Sequence, residues 1–357
     1  MLDVVVIGPV PGSAGGVGVM AGYLQETESH RTRISFVDSG GSPGSKVTRI
    51  RAMAAAALRC LRSDENPTVY VLSLSSGGSA WRKVTLGALL RLRGKPYVLH
   101  LHGGGFQRFY DRLPGIGQKI IRSLYHHASG VLVLGEFWAQ FVITQMDVSP
   151  EKVTIVPNAV PGPDVVPQRS GPVRVLFVGR VGSHKGVLEL LAAWRGINVS
   201  DHSRLVLAGD LNDPTGSISK LVDGMDGVDL LGWVGAEQVT EQLAQSHVLV
   251  LPSHGENLPL SLLEGMAWGL APVVTPVGAI PEVIDHGVNG LVVPVRDAQA
   301  LAEAIQQLVT EPDTRQRIAE AARRSWEQEY SLEQYRPVFD DAVETARNSW
   351  AETGRKS

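Results

Sequence analysis

Cysteine and long apolar runs are scarce in this chain of 357 residues, and each shortage excludes a class of protein. The single cysteine, Cys60, allows no intrachain disulfide and favours a reducing, cytoplasmic setting. No apolar run approaches the ~20 residues that a membrane-spanning helix needs. The longest candidate, near 269–284, is interrupted by three prolines. The N-terminus lacks a basic leader, so we expect no signal peptide.

Patterns that bind metals or nucleic acids are also missing. The chain has no Asp-x-Asp motif, and its nearest acidic cluster, GDLNDP at 209–214, has a different spacing. His100 and His102 alternate along a predicted strand, but no third ligand accompanies them. Aromatic residues make up only 6% of the chain and are not interleaved with basic ones. We therefore expect no metal ion, no cofactor and no nucleic-acid partner.

The net charge of −3 is unevenly distributed along the chain. Residues 1–170 hold 18 Lys and Arg against 11 Asp and Glu, a balance of +7, and residues 171–357 hold 15 against 25, a balance of −10. The basic half contains two predicted helices with cationic faces, KVTRIRAMAAAALRCLR (46–62) and WRKVTLGALLRLRGK (81–95). The simpler interpretation is two solvated helix faces. The alternative is a surface for an anionic lipid or an anionic lipid-linked substrate.

Short apolar runs alternate with longer helical patterns along most of the chain. We predict strands at 4–8, 33–38, 68–74, 97–102, 130–135 and 153–158, and again at 173–179, 204–209, 228–233, 247–252, 272–276 and 290–295. Strands this apolar are buried on both faces, as in parallel sheets covered by helices. The pattern therefore predicts an α/β fold with two Rossmann-like, doubly wound parallel sheets.

The length and one proline-rich stretch predict two domains, because 357 residues exceed what one hydrophobic core usually serves. The stretch PNAVPGPDVVPQRSGP contains five prolines and little to pack, so it is the best linker. We predict an N-terminal domain at 1–163 and a C-terminal domain at 164–337, with a cleft between them for a ligand. The tail from about 312 is predicted to be helical, with a break or kink at Pro337.

The stretch HGENLPLSLLEGMAW (254–268) places two glutamates in an otherwise apolar segment. Proline is favoured in a first helical turn, so Pro259 predicts a helix that begins near Leu258. Glu256 then lies on the preceding loop, where the free N–H groups of the helix start suit a phosphate. Glu264 lies inside the helix, mostly buried, and sugar hydroxyls of a nucleotide would satisfy it. The alternative is a core salt bridge or an acid that stabilises the helix N-terminus.

A second motif, GRVGSHKGV (179–187), directly follows a predicted strand. Arg180 and Lys185 flank a tight loop that leads into a helix. Two cations and the N–H groups of a helix start can neutralise a diphosphate leaving group without a metal. The alternative is two exposed surface cations.

Two glycine-rich stretches follow strands in the first half of the chain. In GPVPGSAGGVGVM (8–20), the residues from Gly16 match the dinucleotide fingerprint G-x-G-x-x-A, with Asp38 placed as a ribose acid. Gly16 lies eight residues beyond Gly8, however, so a long glycine loop lining the cleft fits better than an NAD site. In HLHGGGF (100–106), His102 is placed at the cleft rim; the alternative is a structural histidine.

Together these motifs resemble the family 4 glycosyltransferases, which have the GT-B fold. The resemblance is carried by Glu256-x7-Glu264, the GRVGSHKG loop, the GGVG loop, the pair His102–Gly103 and VPNAV at the domain junction. A wider run, HVLVLPSHGENLPLSLLEGMAWGLAPVVTPVGAIPEVI (247–284), also belongs to it. The resemblance spans most of the chain. It is strongest at 173–295 and weakest at 40–95, where such enzymes recognise acceptors.

The resemblance implies a retaining, metal-independent transfer of a sugar from a nucleotide-sugar donor, with a UDP-sugar preferred to a GDP-sugar. The acceptor would be a glycan or a lipid-linked molecule of polysaccharide or cell-surface glycan synthesis. The enzyme would be cytoplasmic, with peripheral contact between the basic half and an anionic membrane. The C-terminal helix, about 338–357, would pack back on the N-terminal domain.

The resemblance also assigns roles to single residues. Arg180 and Lys185 would bind the diphosphate, Glu264 the ribose hydroxyls and Glu256 the donor sugar. The remaining donor contacts would come from Gly16 and His102 for phosphate and sugar, Trp233 and Val234 for the base, and the backbone of Asn257, Leu258, Pro259 and Leu260 for the β-phosphate. Catalysis would depend on Glu256, His102, Arg180 and Lys185.

Three other functions stay open from the sequence. One is a soluble glycosyltransferase that acts on a sugar phosphate or a natural product. The others are an NAD-dependent oxidoreductase, favoured by the fingerprint at Gly16, and a nucleotide-binding module without catalysis.

Overall fold

The computed structural model describes residues 1–41, 44–197 and 203–353, which form two compact units. The N-terminal unit contains Met1–Ala159 and the chain from Leu332 onward, and the C-terminal unit is Val160–Ser331. Each unit contains one six-stranded sheet flanked by helices, and the paired strands are parallel. The predicted α/β class with two Rossmann-like sheets is confirmed.

The sheet of the N-terminal unit has the order β2-β1-β3-β4-β5-β6. Its strands are β1 (Leu2–Gly8), β2 (Thr32–Asp38), β3 (Thr68–Leu74), β4 (Tyr97–Leu101), β5 (Gly130–Val133) and β6 (Val153–Ile155). Every residue of β3 is buried, since helices cover both faces of the sheet. The strand order changes direction between β1 and β3, and ligands of such sheets bind at the carboxyl edge beside this switch point.

Six helices of this unit connect its strands. They are α1 (Gly16–Glu26), α2 (Lys46–Leu61), α3 (Gly78–Leu92), α4 (Phe106–Asp111), α5 (Gly115–His126) and α6 (Glu136–Met146). The predicted helices at 46–62 and 81–95 correspond to α2 and α3. Of the cations on α3, Arg91 is exposed, whereas Lys83 is only 1% exposed. A purely solvated cationic face is therefore wrong for α3.

The sheet of the C-terminal unit has the order β12-β11-β10-β7-β8-β9. Its strands are β7 (Val173–Val178), β8 (Ser203–Ala208), β9 (Val228–Gly232), β10 (Val248–Leu251), β11 (Ala271–Val274) and β12 (Leu291–Val292). Its helices are α7 (Val187–Gly196), α8 (Ser217–Val222), α9 (Ala236–Gln245), α10 (Leu260–Ala267), α11 (Ile280–Val283), α12 (Ala298–Thr310) and α13 (Pro312–Ser325). The switch point lies between β7 and β10, so the two strongest motifs of the sequence follow neighbouring strands.

The last helix, α14 (Leu332–Thr353), belongs to the N-terminal unit. Pro337 lies inside α14, so the helix has no break there, and the predicted alternative of a kink stays a prediction. The helical tail is interrupted instead at Ser331, whose extended backbone (φ −78°, ψ 157°) ends a π-helical turn at Trp326–Tyr330. A proline here removes one backbone bond near the start of the helix, and tertiary contacts of the same turn hold it in place. Residues 354–357 of the predicted helix lie outside the described residues.

The chain passes between the units at two points that lie side by side. Val160 N–H donates to Tyr330 O at 3.1 Å, and a parallel bridge joins Val160 to Ser331. These points come after residues 159 and 331, which is four and six residues before the expected boundaries at 163 and 337. The proline-rich stretch therefore belongs almost entirely to the C-terminal unit.

A buried ion pair attaches α14 to the start of β2. Arg336 is 6% exposed and Asp340 is 1% exposed, and Arg336 Nε donates to Asp340 Oδ1 at 3.1 Å. Asp340 also accepts from Thr32 Oγ1 at 2.6 Å and from Ser29 Oγ at 2.6 Å. Arg336 donates to Thr27 O at 2.5 Å and to Thr32 Oγ1 at 2.7 Å. Each charge is paired and hydrogen-bonded, as burial requires.

We expect Asp340→Ala to destabilise the N-terminal unit by about 3–5 kcal/mol, because it leaves the Arg336 charge buried and unbalanced. Hydrogen exchange of the β1 and β2 amides measures the change. The matched control is Asp341→Ala. Asp341 is an exposed neighbour whose ion pair with Arg31 contributes at most about 1 kcal/mol. Equal protection losses in the two variants would show that the buried pair does not hold α14.

Candidate functional site

Two loops meet at the switch point of the C-terminal sheet. The loop after β7 contains Gly179 and Arg180 and ends in a 3-10 turn, Ser183–Lys185, before α7. The loop after β10 runs from Pro252 to Pro259. Because β7 and β10 pair directly and in parallel, both loops leave the same edge of the sheet.

The two loops touch through their backbones at Gly186. Its φ of 71° is left-handed, and a Cβ placed there would lie 1.9 Å from Pro252 O. Only glycine tolerates both the conformation and the contact. His254 N–H also donates to His184 O at 3.1 Å. The position of one loop therefore fixes the position of the other.

This backbone contact brings Lys185 to Glu256. Lys185 Nζ forms an ion pair with Glu256 Oε1, and Ser253 Oγ donates to the same oxygen at 2.8 Å. The side chains of Lys185 and Glu256 are 23% and 11% exposed, so water screens the pair only in part. The sequence predicted both residues but gave them separate ligand groups. The structure pairs them with each other.

A second pair crosses the same junction. His254 Nε2 lies 3.0 Å from Glu189 Oε1 on α7. Burial lowers the pKa of His184, and the nearby charges of Lys185 and Arg180 lower it further. His184 is therefore neutral at pH 7, and the positive charge at this loop comes from Arg180 and Lys185. Arg180 is exposed.

The helix after Glu256 begins later than the sequence predicted. α10 starts at Leu260, two residues after the expected Leu258, and Pro259 is its N-cap, with no side-chain capping bond. Glu264 is the fifth residue of α10 and is only partly exposed, in agreement with the predicted burial. The first-turn N–H groups of α10 thus lie beside Glu256 with no side-chain cap.

Gly278 packs closely against the loop between Glu256 and α10. A Cβ on Gly278, which has φ 60°, would lie 2.4 Å from Asn257 O and 2.5 Å from Glu256 O. Ala279 N–H donates to Asn257 O at 2.8 Å. Asn257 and Leu258 are buried, so their backbone is fixed where the sequence places a phosphate contact.

Trp233 and Val234 follow β9, the edge strand next to β8. Trp233 is 74% exposed, which leaves its flat ring open at the carboxyl edge of the sheet. Gly209 N–H donates to Gly232 O at 2.8 Å and fixes the end of β9. An exposed indole is suited to stacking on a flat ligand group.

The predicted Gly16 and His102 both lie in the N-terminal unit. Gly16 is the first residue of α1, whose N-cap, Gly15, has φ 91° and no side-chain cap. His102 follows β4, and its ring lies 3.9 Å from that of His100. Burial, assisted by the nearby charge of Lys83, lowers the pKa of His102 to about 4, so its ring is neutral at pH 7.

The fingerprint for NAD falls in the wrong structural context. In a dinucleotide site the first glycine closes the turn between strand and helix. Here Gly16, Gly18 and Ala21 all lie within α1, and a loop of seven residues separates α1 from the end of β1. The structure gives no support to an NAD site at this position.

Several functional neighbours were missed by the sequence analysis. Ser253, His254 and Glu189 complete the two pairs, and Gly278 supports the Glu256 loop. Ser253 and His254 lie within three residues of Glu256, and that closeness was their only signal. Glu189 and Gly278 are brought in by the fold alone.

Over residues 1–41, 44–197 and 203–353, no three His, Cys, Asp or Glu side chains group as a metal site. Within those same ranges, no helix combines the length and apolar character needed to cross a bilayer.

Two family models match the chain, one in each half. The model described as "Glycosyl transferase 4-like domain" matches residues 3–159, and the model described as "Glycosyl transferases group 1" matches residues 172–311. The second match includes both loops at the β7–β10 switch point.

Curated relatives match parts of the chain. It is 31% identical over 169 residues to N-acetyl-alpha-D-glucosaminyl L-malate synthase of Bacillus anthracis, covering 46% of this chain and 44% of that protein. It is 29% identical over 300 residues to alpha-maltose-1-phosphate synthase of Mycolicibacterium smegmatis, covering 69% of this chain and 74% of that protein. Against several relatives the chain spans less than half of their length.

Solved structures resemble the whole chain in fold. Sucrose-phosphate synthase from Thermosynechococcus elongatus aligns with a TM-score of 0.75 at 17% identity, covering 100% of both chains. Anabaena HepE in complex with UDP-glucose aligns with a TM-score of 0.70 at 15% identity, covering 99% of this chain and 100% of that one.

We expect Gly186→Ala to destabilise the C-terminal unit by about 2–4 kcal/mol, through the left-handed φ and the clash with Pro252 O. Denaturant unfolding followed by tryptophan fluorescence measures the change. The matched control is Gly255→Ala in the facing loop, where an added Cβ meets nothing within 4 Å. A Gly186→Ala protein as stable as the control would mean that the two loops do not need this contact.

Proposed function

Because this chain belongs to the family 4 glycosyltransferases, which have the GT-B fold, we propose that it is a retaining enzyme that transfers a sugar from a nucleotide-sugar donor to a glycan or lipid-linked acceptor. The observation that carries the proposal is the Lys185–Glu256 pair beside the uncapped start of α10. It places a cation, a carboxylate and a helix start without a side-chain cap together at a switch point. Structures with UDP and UDP-glucose among the similar folds favour UDP as the nucleotide of the donor.

The diphosphate of the donor is proposed to bind Arg180 and Lys185. Glu256 balances Lys185 in the structure. A diphosphate offers Lys185 more negative charge than one carboxylate does, so Lys185 exchanges Glu256 for the ligand. Glu256 is then free to accept hydrogen bonds from the donor sugar. Arg180, exposed at the same loop, adds a second cation.

The nucleoside is proposed to lie along the same sheet edge. Glu264 on α10 would accept hydrogen bonds from the ribose hydroxyls, as carboxylates do in other nucleotide sites. The backbone of Asn257, Leu258 and Leu260, with Pro259 fixing the turn, would hold the β-phosphate. Trp233 and Val234 would contact the base.

The reaction we propose needs no enzyme nucleophile and no metal. The acceptor oxygen attacks the anomeric carbon from the face that the diphosphate leaves. As the bond between that carbon and the diphosphate oxygen breaks, the diphosphate takes the acceptor proton. Arg180 and Lys185 stabilise the charge that develops on the leaving group. Gly16 and the neutral His102 are proposed to contact the phosphate and the sugar.

A lipid-linked acceptor is favoured by the surface of α2. Its exposed residues combine apolar side chains with basic ones, namely Val47, Ile50, Leu58, Lys46 and Arg51. Such a surface suits the interface of an anionic membrane on the cytoplasmic side. The alternative is a transferase with a small soluble acceptor. Two of the relatives above favour it, because their names give small products that carry an anionic group.

Variants of the donor residues test the proposed reaction. We expect Arg180→Ala or Lys185→Ala to lower kcat by about 100- to 1000-fold, the loss typical of one electrostatic donor. Glu264→Ala should weaken UDP binding about 10- to 100-fold, because it removes charge-assisted hydrogen bonds. Isothermal titration with UDP and turnover of UDP-sugars measure both effects. The control is Lys220→Ala on α8, and variants that all behave like it would reject the donor site.

The acceptor class is tested with vesicles of phosphatidylglycerol and phosphatidylcholine. If the membrane contact exists, the protein co-sediments with anionic vesicles and is released by salt, since Debye screening weakens such attraction. Replacing Ile50 and Leu58 by Ser should reduce this binding without changing the affinity for UDP. Binding to neither vesicle favours the soluble acceptor, and equal binding to both would contradict an electrostatic contribution to the membrane contact.

A further inference from the structure

One buried lysine of the N-terminal unit forms no ion pair with the residues that the structure describes. Lys83 on α3 is 1% exposed, and its Nζ donates to Ser39 Oγ at 2.6 Å. In the described part of the chain, no ion pair includes Lys83. A buried ammonium without a counter-charge is costly, and a methionine would fill the same space without that cost. The lysine therefore calls for a functional explanation.

The charge of Arg82 acts on Lys83, and the charge of Arg49 acts on Arg82. Arg82 has a buried Nε that finds no hydrogen-bond partner among the described residues. Its guanidinium nitrogens lie 3.2 Å from a Cβ placed on Gly41 and 3.3 Å from one placed on Gly78, so Arg82 reaches the loop after β2 and the first residue of its own helix. Arg49, exposed on α2, donates to the loop after β2 at 3.3 Å. We call Arg49, Arg82 and Lys83 the Lys83 cluster.

The Lys83 cluster lies at the carboxyl edge of the N-terminal sheet. Ser39 follows β2 and α3 follows β3, and β1 lies between these two strands. The cluster therefore adjoins the switch point between β1 and β3, where such sheets bind ligands. The glycines Gly40, Gly41 and Gly77 border it, and Gly40 and Gly77 have φ of 78° and 65°. Backbone without side chains lets a ligand group come close.

The other charged or titratable groups that face the cluster do not neutralise it. Asp38 faces it from the end of β2, but Asp38 Oδ1 accepts from Gly40 N–H at 2.8 Å and from Gly41 N–H at 3.2 Å. His102 faces it from the end of β4 and is neutral at pH 7. Three cations thus share one nearby carboxylate, which is already hydrogen-bonded to its own loop.

We propose that Arg49, Arg82 and Lys83 form a binding site for a phosphoryl group of the acceptor. Guanidinium groups bind phosphate oxygens in pairs and an ammonium adds a point charge, so the cluster suits a tetrahedral oxyanion. As an acceptor site it rests on the proposed function; as an anion site it stands on its own. The phosphoryl group can belong to a soluble sugar phosphate or to a lipid phosphate, since the chemistry is the same.

The protonation of Lys83 supports an anion here. Burial and the nearby charge of Arg82 together lower the pKa of Lys83 to about 7, although Asp38 acts in the opposite direction. A bound anion favours the protonated form, so binding takes up a proton near neutral pH. Affinity is therefore highest below pH 7 and falls as the pH rises through 7.

Lys83→Met tests the site in the full-length protein saturated with UDP. Isothermal titration with glucose 1-phosphate and with farnesyl phosphate should each show about a tenfold or greater rise in Kd, as loss of a charge-assisted bond predicts. The ligand that binds the unsubstituted protein more tightly identifies the soluble or the lipid source. The matched control is Lys119→Met on the exposed face of α5. Arg82→Gln is the second variant should Lys83→Met fail to fold.

Titration with sulfate, whose charge is fixed between pH 6 and 8, tests the link to protonation. Its Kd should rise over this range in the unsubstituted protein and stay constant in Lys83→Met. A Kd for sulfate that does not change with pH in the unsubstituted protein would contradict the role of Lys83 as the partner of the anion.

The outcomes separate this inference from the donor proposal. If UDP binds but neither phosphate depends on Lys83, or neither binds at all, the inference is overturned and the donor site remains. If UDP does not bind and a phosphate still binds through Lys83, the donor proposal is overturned and the anion site remains.

Discussion

The C-terminal unit depends on two points where backbone packs directly against backbone. At Gly186 and at Gly278, a single Cβ would overlap a carbonyl oxygen of the loop after β10. The contact at Gly186 places the loop after β7 against residues that are about 70 positions away in the chain, and the contact at Gly278 fixes the facing loop. The Lys185–Glu256 pair is a consequence of this backbone arrangement, because neither long side chain determines by itself where the other loop lies. The close contacts fix the geometry, and the charges supply the chemistry.

A partly buried ion pair is weak evidence for stability, since desolvation offsets much of its attraction. Its value here lies in preorganisation. Ser253 and Lys185 hold Glu256 in one orientation, and Glu256 keeps Lys185 at the loop where a leaving group would develop charge. Groups that are already oriented need not reorganise during the reaction. The resting pair therefore keeps the site ordered until a stronger anion replaces the carboxylate.

The sequence predicts the strands well because apolar, β-branched runs between turn residues have few alternatives. It predicts less well where tertiary contacts override a local rule. Proline predicts a break at 337, but the Arg336–Asp340 network and the packing of α14 keep the helix continuous. Pro259 predicts the start of α10 only to within two residues, because proline caps the helix instead of opening it. The pairing of Lys185 with Glu256 needs the order of strands β7 and β10, which local patterns do not contain.

The burial of Lys83 was not predicted from the sequence. A lysine between Arg82 and Val84 suggests a solvated face, yet it lies three residues from both Ala80 and Leu86, which are fully buried on α3. Its place in that apolar stripe predicts burial, but the sequence analysis counted it only as one of the cations of the helix.

The cations at the carboxyl edges of the two sheets are balanced in different ways. In the C-terminal unit Glu256 pairs with Lys185, and the proposed donor would displace it. In the N-terminal unit Lys83 forms no ion pair within the described part of the chain, and the proposed anion would supply that charge. The first arrangement favours exchange during a reaction, and the second favours retention of an anionic group.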